Sequence, residues 1–172
     1  EFLSPCGVRS LSKVHREHPF RLEAQGASYE VAYTPGESDT GVFGGNSNWR
    51  GPVWLPVNYL LIEALERYHH FYGDDLRVEC PVGSGKMMHL GEVAAELGRR
   101  VVSIFLPDAQ GRRPCNGALG DLAARAGFRD QVHFYEYFHG DTGTGLGASH
   151  QTGWTALVSR LVEDRAKHQA GR

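Results

Sequence analysis

The sequence predicts a mainly α chain with one small β-hairpin near its N-terminus, and three patterns carry that reading. Val53, Val57, Leu60, Leu61, Ala64, Leu65 and Tyr68 recur at helical spacing. Leu90, Val93, Ala94, Leu97, Val101, Ile104 and Phe105 repeat the pattern further along. Between Phe20 and Tyr33 apolar and polar residues instead alternate around Gly26, the period of paired strands.

Each element has its own start and stop signals. Ser4-Pro5-Cys6-Gly7 reads as a turn and leads into a polar stretch ending in His15-Arg16-Glu17-His18-Pro19. His15 and His18 lack further ligands at a workable spacing and Pro19 blocks a continuing helix, so no metal site is expected. Pro35 to Gly41 is a turn cluster whose carboxylates, Glu37 and Asp39, are assigned first to capping turns and second to a ligand. Pro52 suits the first position of the first helix and Gly73 its C-terminal cap. The second helix is expected from Leu90 to Leu106, stopped by Pro107, followed by a short one from Leu119 to Ala126. A last helix starts near Trp154 and carries Leu157, Val158, Leu161 and Val162.

Composition narrows the function classes. With 172 residues, 41% of them hydrophobic, the chain can bury one core. A formal net charge of -2 and no block of like charge argue against a nucleic-acid partner. The three cysteines, Cys6, Cys80 and Cys115, contain no CxxC pair, which argues against disulfides or structural zinc and for a reducing, cytoplasmic setting. No apolar run reaches membrane-spanning length, so no membrane partner is expected. The chain opens without an initiator methionine and is hydrophobic from its second residue, the expectation being a piece of something longer. Gly83-Ser84-Gly85-Lys86 lacks the Walker spacing, and Gly143, Gly145 and Gly147 do not form a dinucleotide fingerprint, so no cofactor is expected.

Two stretches carry chemistry. Phe43 to Asn58 gathers Trp49, Trp54, Arg50 and three asparagines just ahead of the first helix. A pyranose presents an apolar face on which an indole stacks, and hydroxyls that need donors and acceptors such as Arg50, Asn46, Asn48 and Asn58. Val132 to Asp141 then sets Glu136 between aromatic residues. Flanking rings partly desolvate a carboxylate and suit it to exchanging protons near neutral pH.

The order of motifs resembles the C-terminal part of the catalytic domain of glycoside hydrolase family 63, the glucosidases and the mannosylglycerate hydrolase-like proteins. The matching text is Arg9-Ser10-Leu11-Ser12, Pro35-Gly36-Glu37-Ser38-Asp39, Gly45 to Trp54, Glu79-Cys80-Pro81, Phe134 to Asp141 and Leu146 to Trp154. The resemblance implies part of an (α/α)6 barrel and an inverting α-glycosidase acting on a small carbohydrate. In it Glu136 falls at the general base, and Trp49, Trp54 and Trp154 are candidate sugar platforms. Arg50, Asn58, His139, Asp141 and His150 are candidates for contacting hydroxyls or fixing loops. The family's general acid, an aspartate, has no counterpart here, and about four helices do not close a barrel. The isolated chain is therefore expected to be inactive, and the remainder of the catalytic domain to be its partner. Two alternatives are a non-catalytic carbohydrate-binding module, which would not need Glu136, and an inverting phosphorylase, which would need a cationic phosphate pocket for which Arg50 and Lys86 are thin evidence.

Overall fold

The computed structural model describes residues 1–38, 40, 41 and 49–170, with side chains through 167. Asp39, Asn46 and Asn48, named above for a ligand or its hydroxyls, lie outside the described residues.

Three long helices dominate: α1 (Leu55–Tyr72), α2 (Leu90–Ser103) and α5 (Val158–Ala170), with single turns α3 (Gly120–Ala123) and α4 (Thr152–Thr155) between them. Among the described residues there are also two 3-10 helices, Lys13–Arg16 and Pro114–Leu119, and four antiparallel strand pairs: β1 (Leu3–Ser4) with β2 (Gly7–Val8), β3 (Phe20–Ala24) with β4 (Ala27–Val31), β5 (Arg77–Glu79) with β6 (Met87–His89), and β7 (Tyr137–Phe138) with β8 (Gly145–Leu146). Among the described residues no helix is long and apolar enough to cross a membrane.

The β3–β4 pair is the hairpin expected from alternation, in register from Phe20 opposite Val31 to Ala24 opposite Ala27. The other three pairs span two or three residues each, too few to generate a period in the sequence. Helix α2 starts on a reciprocal cap, in which the Glu92 amide donates to the His89 ring and the Glu92 carboxylate accepts from the His89 amide. Its buried stripe of Leu90, Ala94, Leu97 and Val101 packs against α1 and α5. It ends at Ser103, short of the expected Leu106, because Ile104, Phe105 and Leu106 close with three-residue backbone bonds of a tightened last turn. The expected final helix is broken into α4 and α5.

Helix α1 departs most from its sequence reading. It begins at Leu55, not Pro52, because Val53 is spent on β-bridges to Arg9 and Phe138. Trp54 is the extended N-cap, and the first-turn proline is Pro56. The core takes Leu55, Ile62 and Leu65, together with Val53, Val101, Ile104, Phe138, Val158 and Leu161. Much of the apolar stripe read from the sequence, Val57, Leu60, Leu61 and Tyr68, instead faces outward, joined by Phe71 and Tyr72. An exposed apolar face of this kind marks a contact surface.

Two carboxylates are held ionised by their partners, Glu96 within α2 and Asp141 across distant segments of the chain. Glu96 is held down to about 2, chiefly by hydrogen bonds from Arg99, against the cost of burial and with help from Arg100. Burial alone would raise Asp141, but hydrogen bonds from Arg9, Tyr33 and Arg16 hold it well below the usual carboxylate range. A carboxylate whose folded pKa lies below its unfolded value contributes stability that is complete above the unfolded value and lost as pH falls toward the folded one. The unfolding free energy from urea titrations is therefore predicted to fall between pH 5 and pH 2, by on the order of 1 kcal/mol for each group, and the midpoint with it. Glu96→Gln should flatten part of that decline, and a midpoint constant from pH 5 to pH 2 would contradict the assignment. Light scattering on the 19.0 kDa chain should show mass rising with concentration through the outer face of α1, and the rise should disappear in Leu60→Lys with Phe71→Lys. A monodisperse monomer would count against that face as a contact surface.

Candidate active site

The site is built around one backbone pairing. The Val53 amide donates to the Phe138 carbonyl at 2.8 Å and the Phe138 amide returns to the Val53 carbonyl at 2.9 Å. Both residues are 0% exposed, so the exchange is fixed in the core. It sets Trp54 beside Tyr137, and their rings stack at 5.0 Å.

Trp49 stacks on Trp54 at 5.1 Å, and Trp154 meets Trp54 edge-on at 5.7 Å. The turn carrying Trp154 is held to the segment before β7 by the Gln151 amide on the Phe134 carbonyl and the Thr155 hydroxyl on the Tyr135 carbonyl. Trp49 is 54% exposed and Trp54 only 7%, so the stack runs from solvent into the core. The buried Nε1 of Trp154 has no hydrogen-bond partner among the described residues.

Glu136 lies one residue before Tyr137 and its Oε2 accepts from the Ala148 amide at 3.2 Å. Glu37 reaches the adjoining amide, Gly147, at 3.3 Å, and its other oxygen accepts from the Tyr137 hydroxyl at 2.9 Å. Consecutive amides thus receive two carboxylates from segments a hundred residues apart. Gly147 has φ +68°, and a Cβ there would lie 2.6 Å from Glu136 Oε2 and 2.9 Å from the Tyr137 ring. Only glycine permits both the turn and this approach.

The other candidates fall around this centre in different ways. The buried guanidinium of Arg50 donates to the Ser38 and Thr40 hydroxyls, fixing the strand of chain that bears Glu37. Asn58 is buried and committed: its Oδ1 accepts from the Val8 amide, and its Nδ2 donates to the Val8 and Trp54 carbonyls. That leaves it no hydrogen for a sugar hydroxyl, so its role is to pin β2 to the start of α1. Asp141 is engaged by Arg9, Lys13, Arg16 and the Tyr33 hydroxyl, which makes it a junction between the N-terminal segment and the β7–β8 turn. His139 accepts from the Asp141 and Thr142 amides through Nδ1, and its pKa is lowered, mainly by burial. The neutral ring suits that acceptor role. His150 is exposed, and its ring lies 5.6 Å from His133. Cys115 is pushed up to about 11 by burial, and burial likewise raises Cys6, so neither is set up as a nucleophile.

A separate groove lies elsewhere, between α1, α2 and α5, lined by Ile62, His69, Lys86, Arg99 and Leu161 among others. The sequence reading ranked Glu37 as a turn-capper and passed over Tyr137 and Gly147. The signal for Glu37 was its place in the same ordered motif as Trp49 and Arg50.

Residues 11–155 match the family model described as mannosylglycerate hydrolase MGH1-like glycoside hydrolase domain. The chain is 56% identical over 168 residues to a Saccharomyces cerevisiae protein described as uncharacterized protein YMR196W, covering 95% of this chain and 15% of the relative. It is 26% identical over 121 residues to mannosyl-oligosaccharide glucosidase of the same yeast, covering 70% of this chain and 11% of that enzyme. The chain thus spans less than a fifth of either relative, and by the extent of the family match it belongs to the mannosylglycerate hydrolase MGH1-like glycoside hydrolase domain family.

Proposed function

We propose that the chain supplies the general base and part of the sugar-binding surface of an inverting α-glycoside hydrolase built on an (α/α)6 barrel. Glucosides, oligosaccharides or glycosylglycerate-type compounds are its substrates. The observation that carries the reading is the junction at Gly147, where the Glu136 carboxylate meets the ring of the tryptophan-stacked Tyr137. A non-catalytic binding module has use for the rings alone. An acidic pair held on consecutive amides beside them suits proton transfer next to a bound sugar.

In the proposed reaction Glu136 accepts a proton from water as the water oxygen attacks the anomeric carbon. The glycosidic bond breaks on the opposite face, and the leaving oxygen takes its proton from an acid. Inversion needs base and acid roughly 6.5 to 9.5 Å apart, with the water between base and sugar. The acid is an aspartate contributed from outside this chain. The Ala148 amide, on Glu136 Oε2, orients the base and leaves its other oxygen for the water. Trp49, the exposed end of the stack, offers stacking area to the pyranose, whereas Trp54, buried between Trp49 and Tyr137, supports that ring and is not itself a platform. The outward apolar face of α1 is where the remainder of the catalytic domain packs.

The 172-residue chain alone is predicted to release no sugar from an α-glucoside. Turnover by it that disappears in Glu136→Gln would overturn the division of base and acid between segments. In a longer polypeptide that also carries the acid, Glu136→Gln should lower kcat by about 10²- to 10⁴-fold with little change in KM. Proton NMR of the first turnovers should show the β anomer released. Full activity in the variant, or retained configuration, would sink the mechanism.

A further inference from the structure

We propose that His69, Asp74 and His89 form a binding site for a divalent transition-metal ion of the zinc type, separate from the sugar site and independent of the function proposed above. The sequence suggested no such site, since it weighed only His15 and His18. Among the described residues those two belong to no group of three ligating His, Cys, Asp or Glu atoms.

The three residues meet where the end of α1, the turn after it and the β6–α2 junction converge. One ligand atom from each lies within 4.8 Å of the others. Asp74 Oδ1 is 3.8 Å from Nε2 of both histidines. Two ligands about 2.05 Å from a tetrahedral ion stand about 3.3 Å apart, so the cluster closes around an ion by movements of roughly half an ångström. The rings are parallel within 11° and 4.3 Å apart, and aiming both nitrogens at one ion needs a swing about χ2, the soft torsion of histidine.

The surroundings favour His69 as the fixed ligand. Its Nδ1 lies 3.1 Å from the Gly73 carbonyl, which holds the hydrogen on that nitrogen and leaves the Nε2 lone pair for a metal. Gly91 makes room for the ring, because a Cβ there would stand 2.6 Å from His69 Cδ2. The His69 and His89 side chains are 29% and 21% exposed, so the pair is ordered yet reachable, and Asp74 is 75% exposed and free to move in.

His89 carries a built-in competition. Its Nδ1 accepts from the Glu92 amide as the cap of α2, which places the hydrogen of the neutral ring on Nε2. Ligation through Nε2 moves that hydrogen to Nδ1 and gives up the cap bond. Glu92, 3.7 Å from His89 Nε2, is a neighbouring carboxylate for the ion, and Arg77, 3.7 Å from Glu92, opposes it. Metal binding and the first turn of α2 are therefore coupled through one ring.

The test uses zinc ion alone with the 172-residue chain, by calorimetric titration and by NMR of the histidine rings. The expected result is one saturable site, with ring signals of His69 and His89 and the amide of Glu92 shifting together. His69→Ala, Asp74→Asn and His89→Asn should each weaken binding at least tenfold. Asparagine at 89 keeps an oxygen to cap α2, so loss there reports ligation rather than unfolding. His70→Ala, on the next residue, should bind zinc as the parent does. No saturable binding, or binding that survives the three substitutions combined, as zinc held by cysteines would, overturns the proposal.

Discussion

The mutual hydrogen bonds between Val53 and Phe138 are the constraint from which the site follows. They join the segment that introduces α1 to the segment that carries Glu136, and they do so with both residues fully buried. A buried backbone pair of this kind cannot exchange its partners for water without leaving polar groups unsatisfied. Trp54 and Tyr137, next along the two strands, are brought into a stack, and the third and fourth rings of the cluster assemble on Trp54. The same pairing sets where α1 can begin.

A second layer fixes the acidic side chains. Gly147 and Ala148 offer successive amides to Glu37 and Glu136, and the hydroxyl of buried Tyr137 adds a second donor to Glu37. Arg50 and Asp141 support this from either side: Arg50 holds the hydroxyls following Glu37, while Asp141 gathers Arg9, Lys13 and Arg16 beneath the β7–β8 turn. Two charged residues that composition offers as ligands for sugar thus act mainly on the geometry of others.

How much of this could be read in the sequence depended on the range of each interaction. Helices α1, α2 and α5 and the β3–β4 hairpin announce themselves through local periodicity, which needs no tertiary information. The side of α1 that becomes core does not, because Leu60 and Ile62 are equally apolar and only their neighbours in space distinguish them. Asn58 looked like a sugar ligand by composition; its three hydrogen bonds to backbone depend on β2 lying alongside, which no pattern in the chain reveals. The pairing of Glu37 with Tyr137 and Gly147 likewise joins positions a hundred residues apart. The ordered motifs, by contrast, pointed to the family directly, and residues 11–155 match it.

The claim that the rings and the carboxylates border one sugar site is tested most directly by a proton–nitrogen NMR titration of this chain with an α-glucoside. The Trp154 indole N–H lies on the aromatic side, and the amides of Gly147 and Ala148 report on Glu37 and Glu136. The account predicts that all three signals shift with a single affinity. Movement of the indole signal while both amides stay fixed would mean that the rings bind sugar apart from the carboxylates, and would contradict it.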